Sequence, residues 1–236
     1  MPKAADDLEF NLDSLNLDFD VDLCVDTTFN TRIMAPQPIS EIDEKYLSFN
    51  KAKDLADAIV IKENQRQYIL VGGGFYFGDF IEAYIIKNNC NCKELTISTL
   101  SMNQNNIDSL ANICNAGYVE KLNLIISHFF YSHERAVLMP YLYQELDKEN
   151  RFQLAVAGTH CKIAMIETEG GKKIVIHGSV NLRSSGNLEQ FVIEENKALY
   201  DFNYVYQKAI IDEYKTINKA LRGEKLWHQV AKSLQE

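Results

Sequence analysis

No apolar run in this chain approaches the roughly 20 residues that a membrane-spanning helix needs, so no spanning segment is expected. The first residues, MPKAADDLEF, also lack the basic and apolar regions of a secretion leader, which predicts a cytoplasmic protein. Cysteine is sparse: Cys24, Cys90, Cys92, Cys114 and Cys161 are odd in number and lack zinc-ligand spacing. Cys90 and Cys92 stand too close together, and too far from further ligands, for a metal knuckle. Reduced thiols, no metal and no cofactor are expected. Gly72, Gly73 and Gly74 invite a phosphate-loop reading, but the lysine and Ser/Thr of such a loop are missing, as is the GxGxxG spacing. A turn that permits close backbone packing is the expectation instead. Internal repeats are absent, and His-x-Lys occurs once.

Positive charge is also in deficit, the net charge being −9. That argues at first against a nucleic-acid partner, but the excess is unevenly placed. Residues 1–34 hold eight acidic and two basic residues, leaving 25 acidic and 22 basic in the other 202. The body is therefore nearly neutral, which leaves room for a local basic cleft. Residues 1–39 read as an acidic, flexible N-terminal arm closing on Pro36 and Pro38. Partial alternation of Leu15, Leu17, Phe19, Val21 and Leu23 also allows an edge strand that docks on a partner or on the body. A further option is an acidic arm lying across a phosphate-binding cleft. Residues 40–236 read as one domain, and an apolar content of 46% suffices for a real core.

Along that domain, strand and helix patterns alternate. Residues 40–62 predict a helix, with Ile42, Leu47, Leu55 and Ile59 facing inward. Residues 68–71 predict a strand, and residues 79–87 a helix after the glycines. Strands are predicted over 95–99, 122–127 and 152–157. Between them lie a helix over 104–114, with Ile107, Leu110, Ala111 and Cys114 on one face, and a helix over 133–148 capped by Ser132. A Tyr-rich helix over 197–221 and an amphipathic helix over 224–234, anchored by Trp227, close the chain. The alternation implies an α/β sandwich around a mixed sheet.

Chemistry concentrates in residues 157–196, AGTHCKIAMIETEGGKKIVIHGSVNLRSSGNLEQFVIEEN. The stretch reads as two adjacent strands joined by a turn at Gly170 and Gly171, then a polar loop and another strand. His160 and Lys162, two residues apart, would share one face of a strand, as would Ser179 and Asn181. Ile163, Met165 and Val175 would fill the other face. Asn187 and Glu189 follow after the polar loop. One short region thus converges an imidazole, an ammonium, a hydroxyl, amides and a carboxylate.

His160-x-Lys162 alone is a weak signal. The ordered set of His-x-Lys, four residues, the acid Glu167, then Gly178-Ser179-x-Asn181, then Asn187-x-Glu189, is far more specific. In this set the sequence resembles the phospholipase D superfamily, most strongly over residues 157–196 and more loosely over residues 66–221. The resemblance implies a phospholipase D-like α/β/α sandwich around a mixed β-sheet. It implies that His160 is the nucleophile on phosphorus, giving a phosphohistidine. Lys162 would hold the non-bridging oxygens, with Ser179 and Asn181 donating to the same oxygens. Glu189 would accept from the other ring nitrogen of His160 and fix its tautomer. No metal is required in such a site. Two departures stand out: Glu167 replaces the family's Asp, and the spacing from Gly-Ser-x-Asn to Glu189 is shorter than in the familiar nucleases. Arg183 and Asn187, in the polar loop, are further candidates for phosphate contact, and Glu167 for structural support.

Family members of this type use two histidines, one as nucleophile and one as acid, and single-copy members pair two chains around the site. One His-x-Lys therefore implies a homodimer in which two copies of His160 face each other. The expected activity is that of a metal-independent phosphodiesterase, a DNA endonuclease above all, with nucleic acid as partner. A phospholipase D-like binding module for nucleic acid or protein is the alternative. A lipid phosphodiesterase ranks third, because no basic amphipathic membrane helix is present. His177 precedes Gly178 and reads as structural. His128, Phe129, Phe130, Tyr131, Ser132 and His133 form an aromatic stretch that reads either as half-buried packing or as a base-stacking loop.

Overall fold

A computed structural model describes residues 43–72, 74–183 and 187–216. The predicted arm over 1–39, the helix over 224–234 and Trp227 lie outside the described residues. In chain order the elements are β1 (Asp43–Phe49), α1 (Ala52–Ala58), β2 (Gln65–Val71), α2 (Phe77–Lys87), β3 (Cys92–Thr99), α3 (Gln104–Asn115) and β4 (Leu122–Ser127). There follow α4 (His128–Glu134), α5 (Leu138–Leu146), β5 (Phe152–Ala157), β6 (Ile163–Thr168), β7 (Lys173–Gly178), β8 (Glu189–Glu195) and α6 (Lys197–Tyr214).

The strands form an eight-stranded sheet in the order β1-β2-β8-β7-β6-β3-β4-β5. β3, β4 and β5 run parallel, as do β1 and β2, while the pairings from β2 through β8, β7 and β6 to β3 are antiparallel. The sheet is mixed and the class is α/β. The larger core lies between one sheet face and α1, α2, α3 and α5. Ile97, Leu124, Leu154, Ile166 and Ile176 meet Phe80, Ile81, Ile107, Leu110 and Leu142 there, all essentially buried. On the other face, Tyr200 of α6 packs on Met165 and Val175, and Ile211 on Ile125 and Ala155. Helices on both faces make β6 and β7 apolar on both sides. Residues Ile163, Met165 and Val175 accordingly sit under α6, while Ala164, Ile166, Ile174 and Ile176 line the larger core.

Several sequence expectations need correction. The helix predicted over 40–62 is strand β1 followed by the short α1. Leu47 and Phe49, two residues apart, pack on the core, and parallel pairing with β2 sets their backbone, so the period of two prevails over the helical one. The helix predicted over 133–148 is two helices, and its cap is Ser127 rather than Ser132: the chain turns from β4 straight into α4, with Ser127 Oγ accepting from Phe130 N at 3.0 Å. The helix predicted over 197–221 ends at Tyr214, where the chain leaves α6 to cross β5, Thr216 N bonding to Leu154 O at 2.9 Å. Gly171 makes the β6–β7 turn in a left-handed conformation, φ +83°. Cys90, Cys92 and Cys114 are buried free thiols, and burial pushes Cys92 up to about 12 and Cys114 up to about 11.

Candidate active site

Topology alone brings the motif residues to one end of the sheet. β3, β4 and β5 end there at Thr99, Ser127 and Ala157, β7 ends there at Gly178, and the antiparallel β6 and β8 begin there at Ile163 and Glu189. In α/β sheets the crevice beyond the carboxyl ends of the parallel strands is the usual ligand position. The parallel run β5-β4-β3 gives way to antiparallel pairing at β6.

Residues 158–162 cross from β5 to β6 over the ends of β4 and β3, because β3 and β4 lie between them in the sheet. Thr159 fastens this span: its Oγ1 lies 3.3 Å from Ser98 Oγ and accepts from Cys161 N at 3.2 Å. His160 and Lys162 therefore precede β6 instead of lying on a strand as the sequence suggests. A polar pair on β6 itself would be buried under helices, whereas the span leaves His160 exposed. Lys162 Nζ lies 3.1 Å from His160 Nδ1 and donates to His160 O at 3.1 Å. Nucleophile and cation candidates are thus in direct contact.

Gly178-Ser179-x-Asn181 is fixed from several sides. Gly178 N donates to Lys162 O at 3.3 Å, joining the two halves of the motif. A Cβ at Gly178 would come within 2.3 Å of Gln190 O and 2.6 Å of Phe191 Cα, so the approach of β7 to β8 demands glycine. Ser179 N donates to Gln190 O at 2.9 Å, and Ser179 Oγ accepts from Gln190 N at 3.0 Å and donates to the Glu189 carboxylate. Asn181 Oδ1 accepts from Leu100 N at 3.2 Å and from Thr99 Oγ1 at 3.4 Å. Those bonds turn the Asn181 amide so that its Nδ2 donors remain available, with no partner among the described residues.

Other expected residues are placed differently. The Glu189 carboxylate accepts from Ser179 Oγ, while Lys162 engages His160 Nδ1. Glu167 sits at the opposite end of β6, five residues from Lys162 and so roughly 16 Å away at the usual strand rise. Its carboxylate lies 2.6 Å from Lys173 and 3.5 Å from Lys93, and the bond from Lys173 holds it below the ordinary carboxyl range. Arg183 and Asn187 are exposed at the site end of the sheet.

A buried ionic cluster across β2 and β8 was not visible in the sequence. Glu194, 2% exposed, receives Arg66 Nε at 3.2 Å and Nη2 at 3.1 Å, Asn196 Nδ2 at 3.1 Å, and faces His177 Nε2 at 3.5 Å. Burial would raise its pKa, but His177, Arg66 and Asn196 together hold it down to about 2. Arg66 and Glu194 are 128 positions apart, and only the β2–β8 register pairs them. A groove of about 420 Å³, lined by Leu47, Ser48, Tyr68, Ile69, Leu70 and Gln190, does not include His160 or Lys162. Among the described residues, no set of three His, Cys, Asp or Glu side chains is arranged to hold a metal ion, and no helix is long and apolar enough to cross a membrane.

No known protein family matches the sequence, and no curated protein matches it. Among solved structures, the chain is similar to a phosphatidylserine synthase of Haemophilus influenzae Rd KW20, at 13% identity and a TM-score of 0.47, over 78% of this chain and 50% of that one. It is similar to Nuc of Salmonella typhimurium, a phospholipase D family member, at 13% identity and a TM-score of 0.44, over 64% of this chain and 96% of that one. A third similarity is to the polyphosphate kinase of Porphyromonas gingivalis, at 14% identity and a TM-score of 0.43, over 71% of this chain and 28% of that one. The chain thus spans half the length of the synthase. Likenesses this distant leave function to be argued from the site.

Proposed function

We propose that this chain is a metal-independent, phospholipase D-like phosphodiesterase: a nuclease working through a phosphohistidine at a site shared by a homodimer. The observation that carries the reading is the 3.1 Å contact between His160 Nδ1 and Lys162 Nζ, beside the fixed Ser179 and Asn181. An imidazole nucleophile, a cation and two neutral donors are the groups that phosphoryl transfer needs.

The contact also suggests an order of events. With Lys162 donating to Nδ1, the neutral ring carries its proton on Nε2, which leaves Nε2 no lone pair for attack until that proton passes to solvent and Nδ1 is protonated instead. Attack through Nε2 requires the proton on Nδ1, and so requires Lys162 to leave the ring. Anionic phosphate oxygens draw the ammonium away. Ser179 turns its hydroxyl to the same oxygens, which releases the Glu189 carboxylate to accept from Nδ1–H. Nε2 then attacks phosphorus, the P–O bond to the leaving oxygen breaks, and His160 of a second copy, starting as the imidazolium, protonates that oxygen and becomes neutral. Water next attacks the phosphohistidine, the second histidine takes its proton, and the P–N bond breaks to restore His160.

Cleavage of plasmid and single-stranded DNA in EDTA tests the reading. Wild-type cleavage that persists in EDTA and is lost in His160→Ala, with a phosphorylated His160 trapped in the wild type, is the expected result. The second reading is a binding module. The mutual engagement of Lys162 with His160 and of Ser179 with Glu189 favours it. Equal binding with no cleavage by either protein decides for the module.

A further inference from the structure

We propose that Phe129 and His133 of α4 form a stacking platform for a nucleobase, one that positions a single strand whose phosphodiester lies at His160. The inference rests on the nuclease reading and names the feature that recognises its substrate.

The aromatic stretch divides sharply. Phe130 and Tyr131 are 6% and 1% exposed and serve the core, whereas Phe129 is 64% exposed. Phe129 is the exposed aromatic among the described side chains. Its ring centre lies 4.1 Å from that of His133 with the planes tilted by 43°, and His133 Nδ1 lies 2.8 Å from Phe129 O, so the outward pair is held rather than loose. Core packing does not account for it, because burial of an aromatic is favourable and its neighbours achieve it.

Position links the pair to the site. α4 begins at the end of β4, the end of the sheet that residues 158–162 cross between β5 and β6. β4 lies two places from β6 in the sheet, about 10 Å at the usual strand spacing. Hydrogen bonds connect them as well. Ser127 Oγ caps α4 at Phe130 N and donates to Leu100 O at 3.0 Å, and Leu100 N donates to Asn181 Oδ1 at 3.2 Å. The helix bearing the platform and the amide facing the phosphate are thus tied to one residue.

Charge supplies the reason. The 202 residues after position 34 carry 25 acidic and 22 basic residues, so a near-neutral body gains little from general attraction to phosphates. Contacts to bases then add affinity for a strand, and flat π faces give such contacts without sequence preference.

The test compares binding of a single-stranded oligonucleotide carrying 2-aminopurine with a base-free oligomer of equal length. The wild type is expected to prefer the base-bearing strand by about 5- to 100-fold and to quench 2-aminopurine. Phe129→Ala is expected to lose the preference and the quenching, and Phe129→Trp to keep both. A wild type without preference, or a Phe129→Ala protein that retains it, overturns the platform. So does weaker binding of Phe129→Ala to phosphatidylglycerol vesicles with unchanged oligonucleotide binding, which would make the rim a membrane contact. Cleavage is scored separately with His160→Ala. Intact, His160-dependent cleavage beside a failed stacking test removes the platform alone, while loss of the nuclease reading appears as EDTA-resistant cleavage absent from the wild type.

Discussion

His160 owes its availability to a span that has no room to be a strand: residues 158–162 must bridge two intervening strands between β5 and β6. In the proposed reaction it forms the bond to phosphorus, so His160→Ala is expected to lower kcat at least about 10³-fold, since the loss of a covalent nucleophile removes the whole pathway. Lys162→Ala is expected to cost about 10²- to 10³-fold, the loss of one charge-stabilising donor. Initial rates on a fluorescent oligonucleotide in EDTA check both. Glu194 is the other residue with large consequences. Its folded pKa of about 2 lies below the ordinary 4.5, so its contribution to stability is present above pH 4.5 and is lost as pH falls toward 2. Urea unfolding should therefore show Glu194→Gln destabilised by about 2–4 kcal/mol at pH 7, the cost of leaving Arg66 without its partner. The gap to wild type should narrow at pH 3.

At the level of elements, β7 and β8 must approach closely for Ser179 and Glu189 to meet. Gly178→Ala places a methyl against Gln190 O and Phe191 Cα. Relief requires the strands to part, so a loss of about 1–3 kcal/mol is expected by thermal unfolding. Tyr200, in α6, is 1% exposed, and its hydroxyl has no partner among the described residues. Its ring packs on Met165 and Val175 with Lys173 Nζ 4.3 Å from its centre. Tyr200→Phe keeps that packing and removes an unsatisfied buried group, so it is expected to be neutral or stabilising by up to about 2 kcal/mol in the same measurement.

For the molecule as a whole, the proposed chemistry needs two histidines from a chain that has one motif. Sedimentation equilibrium is expected to give twice the chain mass, and a strict monomer at working concentration would sink the two-histidine mechanism.

Much of this was legible in the residues. The apolar periods located β4, β5 and α3 with little error, and His160, Lys162, Ser179, Asn181 and Glu189 fall at one end of the sheet while Glu167 falls at the other. Ile107, Leu110, Ala111 and Cys114 carried their own helical spacing, and all are buried as that spacing predicts. Such features are local, written within a few turns of chain. What tertiary structure decided is non-local. β1 is a strand because β2 pairs with it, and Glu194 is an ion-pair residue because β8 sets it beside Arg66 from the other end of the chain. His160 and Lys162 stand off the strand because helices on both faces leave no polar face for them. Phe129 and Phe130 are neighbours of identical chemistry in the sequence, and only the direction in which α4 leaves β4 buries one and presents the other. Pairing partners and layer contacts are fixed by the whole chain's packing, and no short window of residues contains them.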